Sequence, residues 1–198
     1  MIAQATLKTN RLVLRPLTFE DALSIQTFAS VRELADAMIS IPHPYPNGEA
    51  ERYISKQLAE FEAGHSVTFA IESKSESVFS GIIEVRDIER EHSQAELSFW
   101  LAVEAWGQGY MSEALKPVLR FAFEDLSLNR LYGYHMVRNP ASGKVFQKNG
   151  FVQEGLLRQR VRKLGVFEDV ALWAILHRDW QSPLKITGKG FHPTSQKD

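Results

Sequence analysis

Residues Trp106-Gly107-Gln108-Gly109-Tyr110-Met111-Ser112 separate an apolar, strand-like run from an amphipathic one. Two glycines at a strand-to-helix junction permit a tight turn whose backbone N–H groups converge near the positive end of the helix dipole. Phosphate or pyrophosphate is the ligand such a place attracts; a turn with no ligand is the alternative. A dinucleotide fingerprint fits poorly, because it needs Gly or Ala where Ser112 stands and an acidic residue after the following strand, whereas Glu124-Asp125 falls on the helix. A second stretch with chemical potential is Asn139-Pro140-Ala141-Ser142, closed by Lys148-Asn149-Gly150-Phe151. Asn139 has the N-cap position with Pro140 first in the helix, and Lys144 and Lys148 lie one turn apart, suited to phosphates or to a solvated face. Glu84 and Glu96 stand on apolar, strand-like runs as possible general bases or as salt-bridged side chains.

These residues need a scaffold. Alternation over 11–15 (RLVLR) predicts a strand ending at Pro16, and Thr18 followed by Asp21 predicts a capped helix reaching Ala29. The prolines of Ile41-Pro42-His43-Pro44-Tyr45-Pro46 require a loop. A helix is expected over 49–63, ended by Gly64, then strands over 67–72, 78–85 and 95–103. After the glycine turn a helix is predicted over 112–126, bent by Pro117, then a strand over 131–137. The short helix opened by Pro140 comes next, with strands over 151–154 and 166–176. Helices between strands predict an α/β (α+β) domain, a mixed sheet with both faces covered.

The chain has 198 residues, 23 Lys+Arg against 24 Asp+Glu, and no Cys. Length fits one domain over 1–181 with a polar, flexible tail over 182–198. Near-neutral charge gives no general attraction to nucleic acid or an anionic membrane, and no run is long and apolar enough to span one. Without Cys there are no disulfides, zinc-thiolate sites or thiol nucleophiles; no His pair has ligand spacing and no Gly-x-Ser-x-Gly elbow exists. A metal-free cytoplasmic protein, monomer or homodimer, is expected.

The glycine turn, with Gly109 in the fixed glycine place, and the Asn139 to Phe151 stretch together closely resemble the GNAT superfamily of acyl-CoA-dependent N-acetyltransferases. Thr9-Asn10-Arg11-Leu12-Val13-Leu14-Arg15, the 95–101 run AELSFWL and Gly109-Tyr110-Met111-Ser112-Glu113-Ala114 are similar to its ribosomal-protein N-terminal (Rim-type, RimJ/RimL-like) branch. Trp106 stands where the turn commonly has Gln or Arg, and Met111 where it ends in Gly or Ala, so the Met111 side chain must turn away for its N–H to serve.

The resemblance implies strands that splay at an acetyl-CoA site and direct attack by an amine on the thioester in a ternary complex. Backbone N–H groups of residues 107–112 would hold the pyrophosphate, with Trp106 at the head of the turn. The strand end Leu101-Ala102-Val103 would stabilise the thioester oxygen. Ser142 would protonate or hydrogen-bond the departing sulfur, Asn139 would meet pantetheine, and Lys144 and Lys148 the phosphates. Glu96 is the first candidate base and Glu84 the second; residues 158–162, where some Rim-type enzymes place one, hold no carboxylate. His135 is a further candidate base or a packed core residue. An α-amine, with pKa about 7.7–8, needs only a weak base, whereas a lysine amine near 10.4 needs about 3.5 kcal/mol more. A protein or peptide N-terminus is therefore the leading acceptor, a small amine such as a polyamine or antibiotic the alternative, and a non-catalytic acyl-CoA-binding module the rival class. The basic residues Arg158, Arg160, Arg162 and Lys163 would draw an acidic acceptor or simply solvate a hairpin.

Overall fold

Leu12 and Leu14 alternate with Val13 and Arg15, so strand β2 (Leu12–Pro16) buries one edge of its pleat completely. Its last cation organises the segment after the strand: Arg15 grips Asp21 through two oxygens at 2.7 and 2.9 Å, while Asp21 Oδ2 accepts the Thr18 N–H at 2.9 Å. The capping pattern thus opens first a single tight turn, Phe19–Asp21, and then helix α1 (Ala22–Ala29).

The structure, a computed structural model, describes residues 4–181; the tail expected over 182–198 lies outside the described residues. Around β2 run β1 (Leu7–Lys8), β3 (Val67–Ser73), β4 (Val78–Glu89), β5 (Gln94–Leu101), β6 (Arg130–Met136), β7 (Val152–Lys163) and β8 (Val166–Leu176), in the order β1-β2-β3-β4-β5-β6-β8-β7. Every neighbouring pair is antiparallel except β5 with β6. On one face, helix α4 (Tyr110–Arg120) sets Met111, Leu115 and Val118 against Ile83, Val85 and Leu97. On the other, Ile25 of α1 and Ala50 and Ile54 of α3 (Glu49–Glu62) cover Ala70 and Ile82. The sheet is covered on both faces, as alternating elements demand.

The parallel pair is short. Its register is Gln94↔Arg130, Ala95↔Leu131 and Glu96↔Tyr132, after which β5 and β6 run on unpaired. Gly133, the next residue of β6, lets the ring of Phe146 from helix α5 (Pro140–Lys148) drive in between: a Cβ on Gly133 would lie 2.6 Å from Phe146 Cζ and 2.8 Å from the Leu97 carbonyl oxygen. Phe146 also meets Phe99 at 5.2 Å and Phe151 at 5.0 Å between ring centroids. An aromatic wedge therefore holds the two strands apart.

Several elements differ from the sequence expectation. The helix after the glycine turn starts at Tyr110, with Gly109 at φ +76° immediately before it. Pro117 supplies no N–H to the ladder, and after Arg120 the chain relaxes into wider turns over Phe121–Asp125, closed by the Leu126 N–H on the Phe121 carbonyl at 3.0 Å. Helices α2 (Arg32–Ala37) and α6 (His177–Gln181) carry too few buried residues to show a helical period. Strand β7 continues to Lys163 through a bulge: between the pairs Leu157↔Val170 and Val161↔Glu168 it holds Arg158, Gln159 and Arg160 opposite Asp169 alone. Gln159 sits there at φ +49°, its N–H bonded to Asp169 Oδ1 at 2.7 Å.

Gly133→Ala is expected to destabilise the protein by about 1–3 kcal/mol through overpacking at the parting of the strands. The measurement is a fall in urea midpoint at unchanged slope. Gly155→Ala, whose Cβ meets nothing within 4 Å, serves as the control and should shift the midpoint little.

Candidate active site

The C-terminal end of β5 feeds the glycine turn. Gly107 and Gly109 adopt φ +73° and +76°, conformations that side-chain-bearing residues resist. Glu113 is the first residue of α4 whose N–H reaches back, to the Gly109 carbonyl at 3.1 Å, so the N–H groups of Tyr110, Met111 and Ser112 have no partner in the helix. The Met111 side chain is buried in the core under α4, leaving its amide toward the turn. Beside these donors is a cavity of about 310 Å³ lined by Gly107, Gly109, Tyr110, Ser112, Lys144 and Lys148 among others. Trp106, Leu101, Asn139 and Ser142 also face it; Ala102, Val103 and Gln108 do not. Gln108 instead bonds the Glu104 carbonyl at 2.9 Å and braces the turn.

Behind the turn, Arg11 acts as a brace. Its Nη1 donates to the Gln108 carbonyl at 3.1 Å, its Nε and Nη2 meet Glu113 Oε2 at 2.7 and 2.6 Å, and its guanidinium lies 4.7 Å from the centre of the Tyr110 ring. Glu113 further accepts from Thr9 Oγ1 at 2.6 Å and from the Arg11 N–H at 2.9 Å, bonds that hold its carboxyl below the ordinary carboxylate range against the opposing effect of desolvation. The Thr9-x-Arg11 segment thus braces the glycine turn and the first turn of α4 from behind.

Backbone direction in the gap follows from one contact. Because the Leu97 carbonyl points at Gly133, alternation directs the N–H and C=O of Phe99 and Leu101 into the same gap. Trp106 Nε1 satisfies the Leu101 carbonyl at 2.9 Å, whereas the Ala102 N–H points the other way and bonds the Ser80 carbonyl at 2.9 Å. Of the three residues expected to stabilise a thioester oxygen, Leu101 presents its N–H to the gap, Ala102 has its N–H engaged on the β4 side, and Phe99 joins as a donor that strand parity alone could have revealed.

Ser142 stands at the far wall. Asn139 does not cap its helix through its side chain; its Nδ2 donates to Ser142 Oγ at 3.2 Å and to the Ala37 carbonyl at 3.1 Å. With Oγ accepting from Asn139, the Ser142 hydroxyl proton is left to point elsewhere. Neighbouring Arg138 binds the Asp36 carboxylate at 2.9 Å, the Asp36 carbonyl at 2.8 Å and Glu168 at 2.8 Å. Lys163 is buried and donates to the Ile41 carbonyl, desolvation pulling its ammonium below the ordinary lysine value. Its place among surface cations is thereby corrected: it anchors the loop after α2. His135 is buried too, its Nδ1 bonding the Met136 carbonyl at 2.9 Å, which leaves Nε2 as a buried acceptor without a partner.

Two further cavities adjoin the first and share Phe99 with it. One, of about 200 Å³, lies over the strand gap between Glu96, Ser98, Tyr134, His135, Ser142 and Arg160. The other, of about 330 Å³, lies between α1, α3 and the sheet and contains Tyr45, Tyr53, Glu84, Ser98 and Trp100. Glu96 is not a free carboxylate: Oε1 accepts from both Nε and Nη2 of Arg86, directly opposite on β4. Glu84 is 6% exposed and opposite Ser98. Among the described residues no hydrogen bond or ion pair engages its carboxyl; burial raises its pKa, with Arg86 and Lys56 opposing and Asp87 and Glu96 reinforcing.

A wedge-split sheet with a glycine turn and a helix N-terminus at its mouth offers a phosphorylated group a set of unpaired backbone amides. The family described as the acetyltransferase (GNAT) domain matches residues 11–152, and the chain belongs to it: it is a GNAT N-acetyltransferase. It is similar to the probable N-acetyltransferase YjcK of Bacillus subtilis (strain 168), 31% identical over 87% of this chain and 98% of that one. Among solved structures it resembles a RimL ribosomal L7/L12 alpha-N-protein acetyltransferase in complex with coenzyme A, at TM-score 0.80 and 19% identity, covering 87% and 98% of the two chains. A spermidine N-acetyltransferase from Vibrio cholerae, in complex with CoA and spermine, superposes at TM-score 0.78 and 23% identity, over 88% of this chain and 100% of that one. Among the described residues no helix is long and apolar enough to cross a membrane, and no cluster could hold a metal ion.

Arg11→Ala should weaken coenzyme A binding about tenfold by freeing the Gln108 carbonyl and letting the turn relax. Arg11→Lys should recover part of the loss. Titration calorimetry reads both, and equal affinity in all three proteins would remove the brace from the anion site.

Proposed function

We propose that the protein transfers acetyl from acetyl-CoA to the α-amine of a peptide or protein N-terminus, with Glu84 as general base. The amides of residues 107–112, with Lys144 and Lys148, suit the pyrophosphate, and the Leu101 and Phe99 N–H groups suit the thioester arm. The amine attacks the thioester carbon directly. Its proton passes to Glu84, and the Ser142 hydroxyl hydrogen-bonds the departing sulfur.

The observation that carries this reading is the isolation of Glu84. Glu49 is paired with Arg52 at 2.6 Å, Glu60 with His65 at 3.2 Å, and Glu96 with Arg86, whose Nε also lies 3.9 Å from Asp87. Among the described residues Glu84 is therefore the carboxyl of the acceptor cleft left without a partner side chain, and Glu60, whose partner is an imidazole, is the only other one with no arginine beside it. Arg86 and Arg160 in the same cleft oppose a polycation further. A buried carboxyl with a raised pKa is also well matched to an α-amine, which is already partly neutral near pH 7.

Glu84→Gln should lower kcat on free-N-terminal peptides by roughly 10²–10⁴-fold and leave coenzyme A affinity unchanged. In the wild type, kcat/KM should rise with pH through the raised Glu84 value, and that limb should vanish in the variant. Stability should move the other way. A carboxyl whose pKa is raised on folding favours the fold at low pH and loses that contribution as pH climbs through the folded value. Glu84→Gln should accordingly raise the melting temperature at pH 8 relative to wild type and not at pH 4. Unchanged turnover across pH would move the base elsewhere.

A further inference from the structure

The β7 bulge interrupts the regular alternation of the strand beside the cavity over the gap. Arg158, Gln159 and Arg160 face Asp169 alone, and the Asp169 carboxylate fixes the bulge through the Gln159 N–H. Arg160 emerges lining the cavity over the strand gap, with Glu96, Ser98, Tyr134 and Ser142. Arg162, two residues on, is held down on the hairpin by the Gly165 carbonyl at 3.1 Å and the Phe167 ring at 5.6 Å. The cavity's other arginine, Arg86, is committed to Glu96. Among the described residues no carboxylate pairs with Arg160. An unpaired guanidinium beside a reaction centre offers a planar fork of donors that a carboxylate matches in shape and charge.

We propose that Arg160 selects acceptors bearing an acidic side chain close behind the reacting α-amine, so that the substrates are acidic N-termini. The inference rests on the peptide-acceptor reading and adds to it the charge of the chain beyond the reacting residue. With the amine between Glu84 and Ser142, an extended acceptor leaves along the gap toward β7, where Arg160 meets its second to fourth side chains. The contact forms in the ground state and in the transition state alike, so it acts on KM more than on kcat.

The experiment monitors thiol release from acetyl-CoA with three peptides that share a free N-terminal residue and differ at positions two to four: acidic, uncharged and lysine-rich. Spermidine is run in parallel. The expected order of kcat/KM is acidic, then uncharged, then lysine-rich, with about tenfold or more between the extremes, expressed in KM and reduced by added salt. Arg160→Glu should reverse the order and Arg160→Lys should keep it with a smaller spread. Each variant is checked by its thermal melt, and Arg160→Gln, which should level the three peptides, stands in if the charge reversal unfolds the hairpin. Peptide turnover indifferent to charge, or an unchanged order in Arg160→Glu, overturns this inference and leaves the α-amine reading standing. Turnover of spermidine with silence on every peptide overturns both.

Discussion

Three residue pairs of parallel ladder, and then none, is the constraint on which the rest of this enzyme is arranged. Extended strands left unpaired inside a protein carry unsatisfied amides at a cost, so the parting of β5 and β6 persists only because something else makes it favourable. Phe146 fills the parting, Gly133 leaves room for it, and Trp106 takes one of the freed carbonyls. The N–H groups of Phe99 and Leu101 remain for a ligand to satisfy. Both strands end at the mouth of this gap, and the helix after each begins there: α4 beyond the glycine turn and α5 beyond Asn139. Two positive helix ends and a row of amides therefore face one opening, the usual geometry for seizing a phosphorylated arm at the carboxyl ends of strands.

The opposite wall of the gap is built on a different principle. Residues 37–40 wall the cavity over the gap, yet the segment 36–41 that carries them belongs to no sheet and to only the last turn of a short helix. Their place comes from three long polar side chains donating to their carbonyls: Arg138 to Asp36, Asn139 to Ala37 and Lys163 to Ile41. Two of those carbonyls lie at the C-terminal end of α2, where orphan acceptors and the negative end of the dipole favour such donors. Asn139 is the link between the two walls, because the same amide that holds the Ala37 carbonyl also donates to Ser142 Oγ.

The glycine turn and the two helix starts beside it were the more legible part of the sequence. Glycines at fixed spacing before an amphipathic run are a local signal, and α4, the turn and the Asn139 helix appear in the order expected. What escaped was whatever depends on partners distant in the chain. Arg11 lies about a hundred residues from Gln108 and Glu113, so its brace has no local signature. Asn139 had the sequence of an N-cap, but its side chain found Ala37 and Ser142 instead. Lys163 sat among exposed arginines, and only the packing of the hairpin against the Ile41 loop buries it. The β7 bulge was invisible because a bulge is a mismatch between two strands, a property of neither alone.

Why Glu84 and not Glu96 is left without a cation follows from register. On the β4–β5 pair, Arg86 stands opposite Glu96 and Glu84 opposite Ser98, all on one face. Directly opposed charges are the close ones in an antiparallel pair, so Arg86 neutralises Glu96 and leaves Glu84 beside a hydroxyl. A slip of two residues would bring the two carboxylates against each other, and a slip of one would turn the whole set to the opposite face, into the core under α4. Ile83 and Val85 on that opposite face forbid the second slip, because they must stay buried. The apolar packing on one side of the sheet thus selects, through the alternation of a strand, which carboxyl on the other side is free to accept a proton.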